Sequence, residues 1–116
     1  MTVLHPDLAA GRWQSMSLAA QLGNVGSEVS RAVKAKEAGK IDRLNSAIAR
    51  MLELLDLTIA DPKNRHGLKE LCRIREVLCD FFAFENEYGS TAEDLNRYFT
   101  PFALASRTQR GVQSRP

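Results

Sequence analysis

Residues 40–60 carry the most regular hydrophobic pattern in the chain, and this pattern constrains the fold more than any other feature. Apolar side chains recur there at steps of three and four residues: Ile41, Leu44, Ile48, Met51, Leu52, Leu55 and Ile59. Because an α-helix has about 3.6 residues per turn, this spacing places them on one helical face. The segment predicts a long amphipathic helix that packs against other helices.

Another long helix is predicted immediately before it, over residues 16–38, with Ser15 as a plausible N-cap and Gly39 as its stop. Beside its apolar stripe runs a row of small residues: Ala19, Gly23, Gly26 and Ser30. A glycine inside a helix costs about 1 kcal/mol relative to alanine, so two in this row indicate that another helix approaches closely. A single glycine between two long helices predicts an antiparallel hairpin.

A third helix is predicted over residues 68–85, after the connector "DPKNRHG" at residues 61–67. Pro62 disfavours helical geometry in Asp61 and therefore ends the preceding helix. Asp61 is a good N-cap and Pro62 suits the first position of a new helical turn. His66 lies in this connector without further ligands at metal-binding spacing, so we interpret it as a surface residue.

A fourth helix is predicted over residues 91–107. Thr91 is a possible cap, although the glutamate of a full capping box is one position too early. Pro101 should kink this helix because proline cannot donate a hydrogen bond to the carbonyl of Arg97.

The four segments together predict an all-α fold, an antiparallel four-helix bundle with its last helix kinked at Pro101. No segment alternates with the period of two that a strand would show. We expect an N-terminal arm at residues 1–14, the helical bundle domain at residues 15–107 and a disordered basic tail at residues 108–116.

Length and composition indicate one ordinary soluble domain. The chain has 116 residues, of which 44% are hydrophobic and 26% charged, and its formal net charge is +2. No apolar run approaches the roughly 18 residues of a membrane span, and the first residues lack the features of a signal peptide. Cys72 and Cys79 fall in the apolar pattern of the third helix, so we expect core residues and a cytoplasmic protein.

Catalytic motifs are mostly missing, and the sequence predicts no enzyme, no cofactor and no metal site. The Glu-x-x-His pairs of di-iron bundles, the C-x-x-C pair of zinc sites and the Gly-rich phosphate loop are absent. So is the Arg and His motif of the helical HEPN ribonucleases. Glu53 and Asp56 match half of the magnesium-binding pattern of MazG-type pyrophosphohydrolases, which makes a metal-dependent nucleotide hydrolase a third hypothesis.

Two basic clusters are candidates for nucleic-acid contacts. They comprise the end of the chain and the start of the third helix: Arg107, Arg110, Arg115, Lys63, Arg65 and Lys69. Such clusters bind phosphates weakly and in a salt-dependent way. Residues 61–89 nevertheless contain six acids against five bases, so a solvated surface is the competing interpretation.

Two further sets of residues are candidate sites. Arg75 falls at the centre of the predicted apolar arc of the third helix. It either pairs with the carboxylate of Glu28 or Asp56, or extends its charged end into water. Such a pair could line a small polar pocket. Candidates for self-association lie on the first two helices: Gly23, Gly26, Leu54 and Leu57.

Three stretches carry a resemblance: "MSLAAQLGNVGSEVSRAV", "LELLDLTIADPKNRHGLKELCRIREVLCDFF" and "NEYGSTAEDLNRYFTPFALASR". They resemble a family of small, uncharacterised all-helical proteins of bacteria and archaea, over most of residues 15–107. The resemblance implies a helical fold and no particular activity. In architecture the chain is also similar to the basic accessory proteins that partner reverse transcriptases, which is an analogy of fold and not of function.

The sequence therefore favours a non-enzymatic helical-bundle protein that binds a protein partner and also forms a homo-oligomer, with no role in a membrane. The alternative is an RNA- or DNA-binding accessory protein that uses the basic tail and the Lys63–Lys69 cluster.

Overall fold

The computed structural model describes the backbone of residues 11–113 and the side chains of residues 11–105. Four α-helices follow one another: α1 (Leu18–Glu37), α2 (Ile41–Ala60), α3 (Leu68–Ala83) and α4 (Ala92–Gln113). Short 3₁₀ helices precede α1 at Trp13–Ser15 and join α2 to α3 at Pro62–Gly67. No strand occurs in the described range, so the predicted all-α fold of four helices is confirmed.

α1 is the central helix, because it packs along both α2 and α4, whereas α3 packs mainly on α2 and on the 3₁₀ connector. The turn from α1 to α2 requires a left-handed backbone at Gly39, whose φ is +68°. The amide of Gly39 donates to the carbonyl of Lys36 at 3.2 Å, and the amide of Lys40 donates to the carbonyl of Ala35 at 2.9 Å. The predicted glycine stop is therefore a C-terminal cap that reverses the chain.

The close approach that the small-residue row predicts is made by α4. A Cβ atom built on Gly26 would lie 2.8 Å from Cβ of Phe99, a distance that real side chains do not reach. Phe99 is itself buried. Glycine at position 26 therefore allows α4 to pack directly against the backbone of α1.

The cap of α1 differs from the predicted one, whereas Thr91 caps α4 as predicted and also forms a capping box that was not predicted. Ser17, not Ser15, caps α1, because its Oγ accepts a hydrogen bond from the amide of Ala20 at 3.1 Å. At α4 the Thr91 Oγ1 accepts from the amide of Asp94, and Asp94 Oδ2 accepts from the amide of Thr91, both at 3.0 Å. This is a reciprocal capping box in which aspartate takes the place of glutamate. The bonds with Thr91 lower the pKa of Asp94 below its usual value.

The hydrophobic core includes a residue from the segment predicted to be a loose arm. Trp13 is almost completely buried and belongs to the same cluster as residues of all four α-helices: Leu22, Val25, Val29, Met51, Leu54, Leu55, Leu71, Ile74, Leu78, Leu95 and Phe99. The packed domain therefore begins before residue 15.

α4 extends further than predicted. It continues through Pro101, which lies inside the helix without ending it, and reaches Gln113 rather than Arg107. The predicted basic tail at residues 108–116 thus overlaps the end of α4, and its side chains lie outside the described residues.

Candidate functional site

A buried hydrogen-bond network joins α1 and α2 to the two 3₁₀ helices. It consists of five side chains, which we call the end network: Trp13, Gln21, Thr58, Asp61 and Asn64. Trp13 Nε1 donates to Thr58 Oγ1 at 3.0 Å. Gln21 Nε2 donates to the carbonyl of Trp13 at 2.8 Å and to Asp61 Oδ2 at 2.9 Å.

Asn64 and Asp61 hold the connector in this network. Asn64 Nδ2 donates to Gln21 Oε1 at 2.8 Å and to the carbonyl of Thr58 at 3.0 Å. Asp61 accepts from both the backbone amide and the ammonium group of Lys63. Burial acts to raise the pKa of Asp61, but the hydrogen bonds from Lys63 and Gln21 outweigh it and hold this pKa below its usual value.

The end network has the properties of a structural element. Within the described residues, every buried side-chain nitrogen and oxygen has a hydrogen-bond partner. A satisfied network rigidifies the groups that it joins and offers no unpaired atom to a ligand. The predicted cap at Asp61 is confirmed. The roles of Trp13, Gln21 and Asn64 were not predicted from the sequence, although a lone tryptophan is a signal for burial.

Arg75 pairs with one of its two predicted partners, but the pair is not buried. Arg75 Nε donates to Asp56 Oδ1 at 2.9 Å, and the two side chains keep 40% and 60% of their surface exposed. This bond raises the pKa of Arg75, although partial burial acts to lower it. The pair therefore combines both expected behaviours, an ion pair and a charged end in water.

The position of Arg75 follows from a rotation of α3 relative to the predicted arc. The buried residues of α3 are Leu71, Ile74, Leu78 and Asp80, whereas Cys72 is exposed and Cys79 half-buried. The prediction that Cys72 is a core residue was wrong. Because apolar residues surround more than half of this helix, its periodicity alone did not determine which of them face the core.

Glu28, the other predicted partner of Arg75, forms a different ion pair. Its carboxylate is 8% exposed and accepts from Arg31 Nη1 at 2.9 Å and from Arg50 Nε at 3.1 Å. Glu28 thus links α1 to α2 rather than to α3. Of the two candidate partners of Arg75, the structure therefore selects Asp56 and not Glu28.

The residues predicted for self-association are engaged inside the chain. Gly23 is buried, Gly26 contacts Phe99, Leu54 belongs to the core and Leu57 packs against it. In this fold they provide intramolecular contacts.

Three of the six predicted nucleic-acid contacts have described side chains. Lys63 binds Asp61 and the carbonyl of Gln14, whereas Arg65 and Lys69 are exposed. The side chains of the other predicted contacts lie outside the described residues: Arg107, Arg110 and Arg115. His66 is exposed, as predicted.

The loop between α3 and α4 is built around Asp80. This buried carboxylate accepts hydrogen bonds from the backbone amides of Glu87 at 2.8 Å and Tyr88 at 3.0 Å. The side chain of Asn86 bridges to both backbone groups of Ser90 at 2.9 Å. These bonds hold the loop in one conformation.

That loop displays two aromatic side chains at the end of the bundle where α1 and α3 finish. Phe84 is 74% exposed and Tyr88 is 56% exposed, and Ile41 at the start of α2 is 62% exposed. Lys36 connects this end, since its Nζ donates to the carbonyl of Phe81 at 3.1 Å and lies 4.2 Å from the centre of that ring. We call Ile41, Phe84 and Tyr88 the aromatic end surface.

A groove of about 340 Å³ runs between α3 and α4 and contains Tyr98. The hydroxyl of Tyr98 donates to Glu70 Oε1 at 3.4 Å. Burial, with the charge of Glu70, raises the pKa of Tyr98 to about 12. This phenol therefore stays protonated at neutral pH and acts as a hydrogen-bond donor rather than a base.

The described residues contain no group of three or more His, Cys, Asp or Glu side chains placed to hold a metal ion. None of the helices in the described range combines the length and hydropathy that crossing a membrane requires.

Comparison with known proteins identifies no relative. No family model matches the chain, and neither the curated proteins nor the solved structures contain a significant match. The resemblance of residues 15–107 to small uncharacterised helical proteins stays a prediction.

Proposed function

We propose that this chain is a helical interaction protein without catalytic activity, which binds protein partners, copies of itself included, through the aromatic end surface. The single observation that supports this function most directly is the exposure of Phe84, which keeps 74% of its surface in water. Large aromatic side chains contribute strongly to protein interfaces, where their burial supplies much of the binding free energy.

The loop that carries Phe84 is already ordered by intramolecular bonds. Asp80 and Asn86 hold its backbone, so binding does not have to order a flexible segment. A surface that is organised before it binds loses less conformational entropy on association. Tyr88 adds a second aromatic ring whose hydroxyl donates to Glu76 at 3.3 Å. Ile41 contributes an aliphatic side chain from the neighbouring helix.

We place this activity in the cytoplasm. Cys72 is an exposed free thiol and Cys79 is also unpaired. Proteins of oxidising compartments tend to pair or lose such cysteines, whereas a reducing compartment preserves them.

The test is the molar mass in solution, measured by light scattering at tens of micromolar protein. We expect the wild-type protein to give a multiple of the 12.9 kDa chain mass. Phe84→Ser should return the mass to that of one chain, because it removes the largest exposed apolar group of the surface.

Leu68→Ser is the matched control. Leu68 is 40% exposed at the start of α3, about 22 Å from its end at a rise of about 1.5 Å per residue. This variant should keep the wild-type mass. A wild-type protein that stays monomeric throughout this concentration range, or a Phe84→Ser variant that remains oligomeric, would contradict self-association through this surface.

A further inference from the structure

A marked excess of positive charge lies where α1 and α2 meet at their hairpin. Residues 31–50 contain six Lys or Arg and two Asp or Glu, a net charge of +4, whereas the remaining residues carry ten bases and twelve acids, a net −2. The total of +2 hides this division. Neither of the basic clusters singled out in the sequence falls in this segment.

Five of these six bases line a groove of about 630 Å³ between α1 and α2, which we call the basic groove. Its base contains Ala35 and Ala47, both buried, so the two helices pack closely here. Long cationic side chains line the groove, with Asp42 as its single acidic lining residue: Arg31, Lys34, Lys40, Arg43 and Arg50.

Two of the five cations are held in place by Glu28. This carboxylate accepts from Arg31 and from Arg50, one on each helix. The other three, Lys34, Lys40 and Arg43, are exposed and make no ion pair within the described part of the chain. Counting Glu28 and Asp42 against the five cations, the groove keeps a net charge of +3.

From this geometry we infer that the basic groove binds the phosphodiester backbone of a nucleic acid without reading its sequence. An open groove with a positive field attracts an extended polyanion, and arginine and lysine are the side chains that contact phosphates. The proposal does not depend on the aromatic end surface or on self-association.

The side chains of the groove favour a nucleic acid over an acidic protein. A protein ligand would be expected to insert a large apolar group, yet the groove offers only alanine methyl groups as apolar contacts. They also argue against base recognition, because none of the lining residues is aromatic, so the groove has no aromatic ring on which successive bases could stack. Contact with the backbone is what remains, and it is independent of sequence.

The groove also does not suit a small anion. Sites for small ligands are concave and cover most of the ligand surface. The basic groove is open along its length, and its cations lie over about one turn of α1 (residues 31–34) and about three turns at the start of α2 (residues 40–50). A polymer that presents several phosphates in a row can contact both rims at once.

The experiment measures the affinity of the full chain for a short labelled DNA duplex of arbitrary sequence, by fluorescence anisotropy over a series of salt concentrations. The test variant combines Lys34→Gln, Lys40→Gln and Arg43→Gln. The logarithm of the binding constant falls linearly with the logarithm of the salt concentration, and each lost contact with a phosphate should make this slope less steep by about 0.9. For the three substitutions together we expect the slope to become less steep by about 2.7.

The control variant combines Arg65→Gln, Lys69→Gln and Arg73→Gln, three exposed cations outside the groove. It changes the net charge equally and should retain the wild-type slope. Because all six residues are exposed, both variants should show the wild-type thermal unfolding transition, which verifies that they fold.

Three outcomes would overturn the inference. One is a wild-type protein that does not bind the duplex at low salt. Another is an equal reduction of slope in both variants, since this would show an effect of net charge alone. The last is displacement of the duplex by polyglutamate as efficiently as by unlabelled DNA at equal charge, which would identify an acidic polypeptide as the ligand class.

Discussion

Trp13 and Thr58 are 45 positions apart in the sequence, and Trp13 Nε1 donates a hydrogen bond of 3.0 Å to Thr58 Oγ1 between two buried side chains. The hydroxyl of Thr58 in turn donates to the carbonyl of Leu54 at 2.7 Å. Trp13, which precedes α1, therefore contributes to the core of the bundle. Deletion of the segment that contains it would remove a core side chain and expose a polar network.

The first prediction concerns this hydrogen bond. Thr58→Val preserves the shape of the side chain but leaves Trp13 Nε1 buried without an acceptor, which should lower the free energy of unfolding by about 1–3 kcal/mol. Trp13→Phe removes the donor, and the double variant should lose less than the sum of the two single variants. Urea unfolding followed by circular dichroism measures all three. Strict additivity would show that the bond contributes nothing.

The second prediction concerns Gly26. Gly26→Ala forces the new methyl group against Cβ of Phe99, and we expect a loss of about 1–3 kcal/mol from overpacking. Gly67→Ala is the control, because the nearest atom to its added Cβ is 4.0 Å away, so its stability should change by less than about 1 kcal/mol. Thermal or urea unfolding distinguishes them. Equal effects of the two substitutions would exclude a steric origin.

The third prediction concerns pH. The pKa of Asp61 is lower in the folded chain than its ordinary value of 3.8, so the unfolded state binds the proton more readily. The resulting stabilisation is present above pH 3.8 and is lost as the pH falls through the folded pKa. In Asp61→Asn this loss should be absent.

The measurement for Asp61 is urea unfolding of both proteins from neutral pH down to acid. The difference in their free energies of unfolding should be largest at neutral pH and shrink below pH 3.8. Glu85→Gln, which removes an exposed carboxylate, should follow the wild-type curve. A constant difference across the whole range would refute the electrostatic contribution of Asp61.

The fourth prediction compares two ion pairs. Arg75→Met disrupts a pair whose side chains are 40% and 60% exposed, and should cost less than about 1 kcal/mol. Glu28→Gln removes a carboxylate that is 8% exposed and bonded to two arginines, and should cost about 1.5–3 kcal/mol. Chemical denaturation ranks the two. A larger loss for Arg75→Met would mean that its pair with Asp56 is shielded from solvent.

Local patterns in the sequence were sufficient to predict the four helices. The apolar repeat of residues 40–60 predicted α2 because a helix buries every third or fourth side chain, and α2 spans Ile41–Ala60. Gly39 and Pro62 predicted the ends of α1 and α2, because glycine readily adopts the left-handed backbone of a helix end and proline disfavours helical geometry in the residue before it. These effects act between residues that are close in the chain, so they do not depend on the tertiary contacts of the helices.

Only the tertiary structure decided which residues meet. Gly26 predicted a close helix, but not that this helix is α4, and the pattern of α3 did not show that Arg75 lies at the margin while Cys72 faces water. Glu28 binds Arg50, and Trp13 binds Thr58, across long stretches of sequence. The basic groove likewise forms only where side chains of two different helices meet. Such contacts depend on the rotation of each helix about its axis. That rotation is set by the packing of all helices at once, and no local pattern contains it.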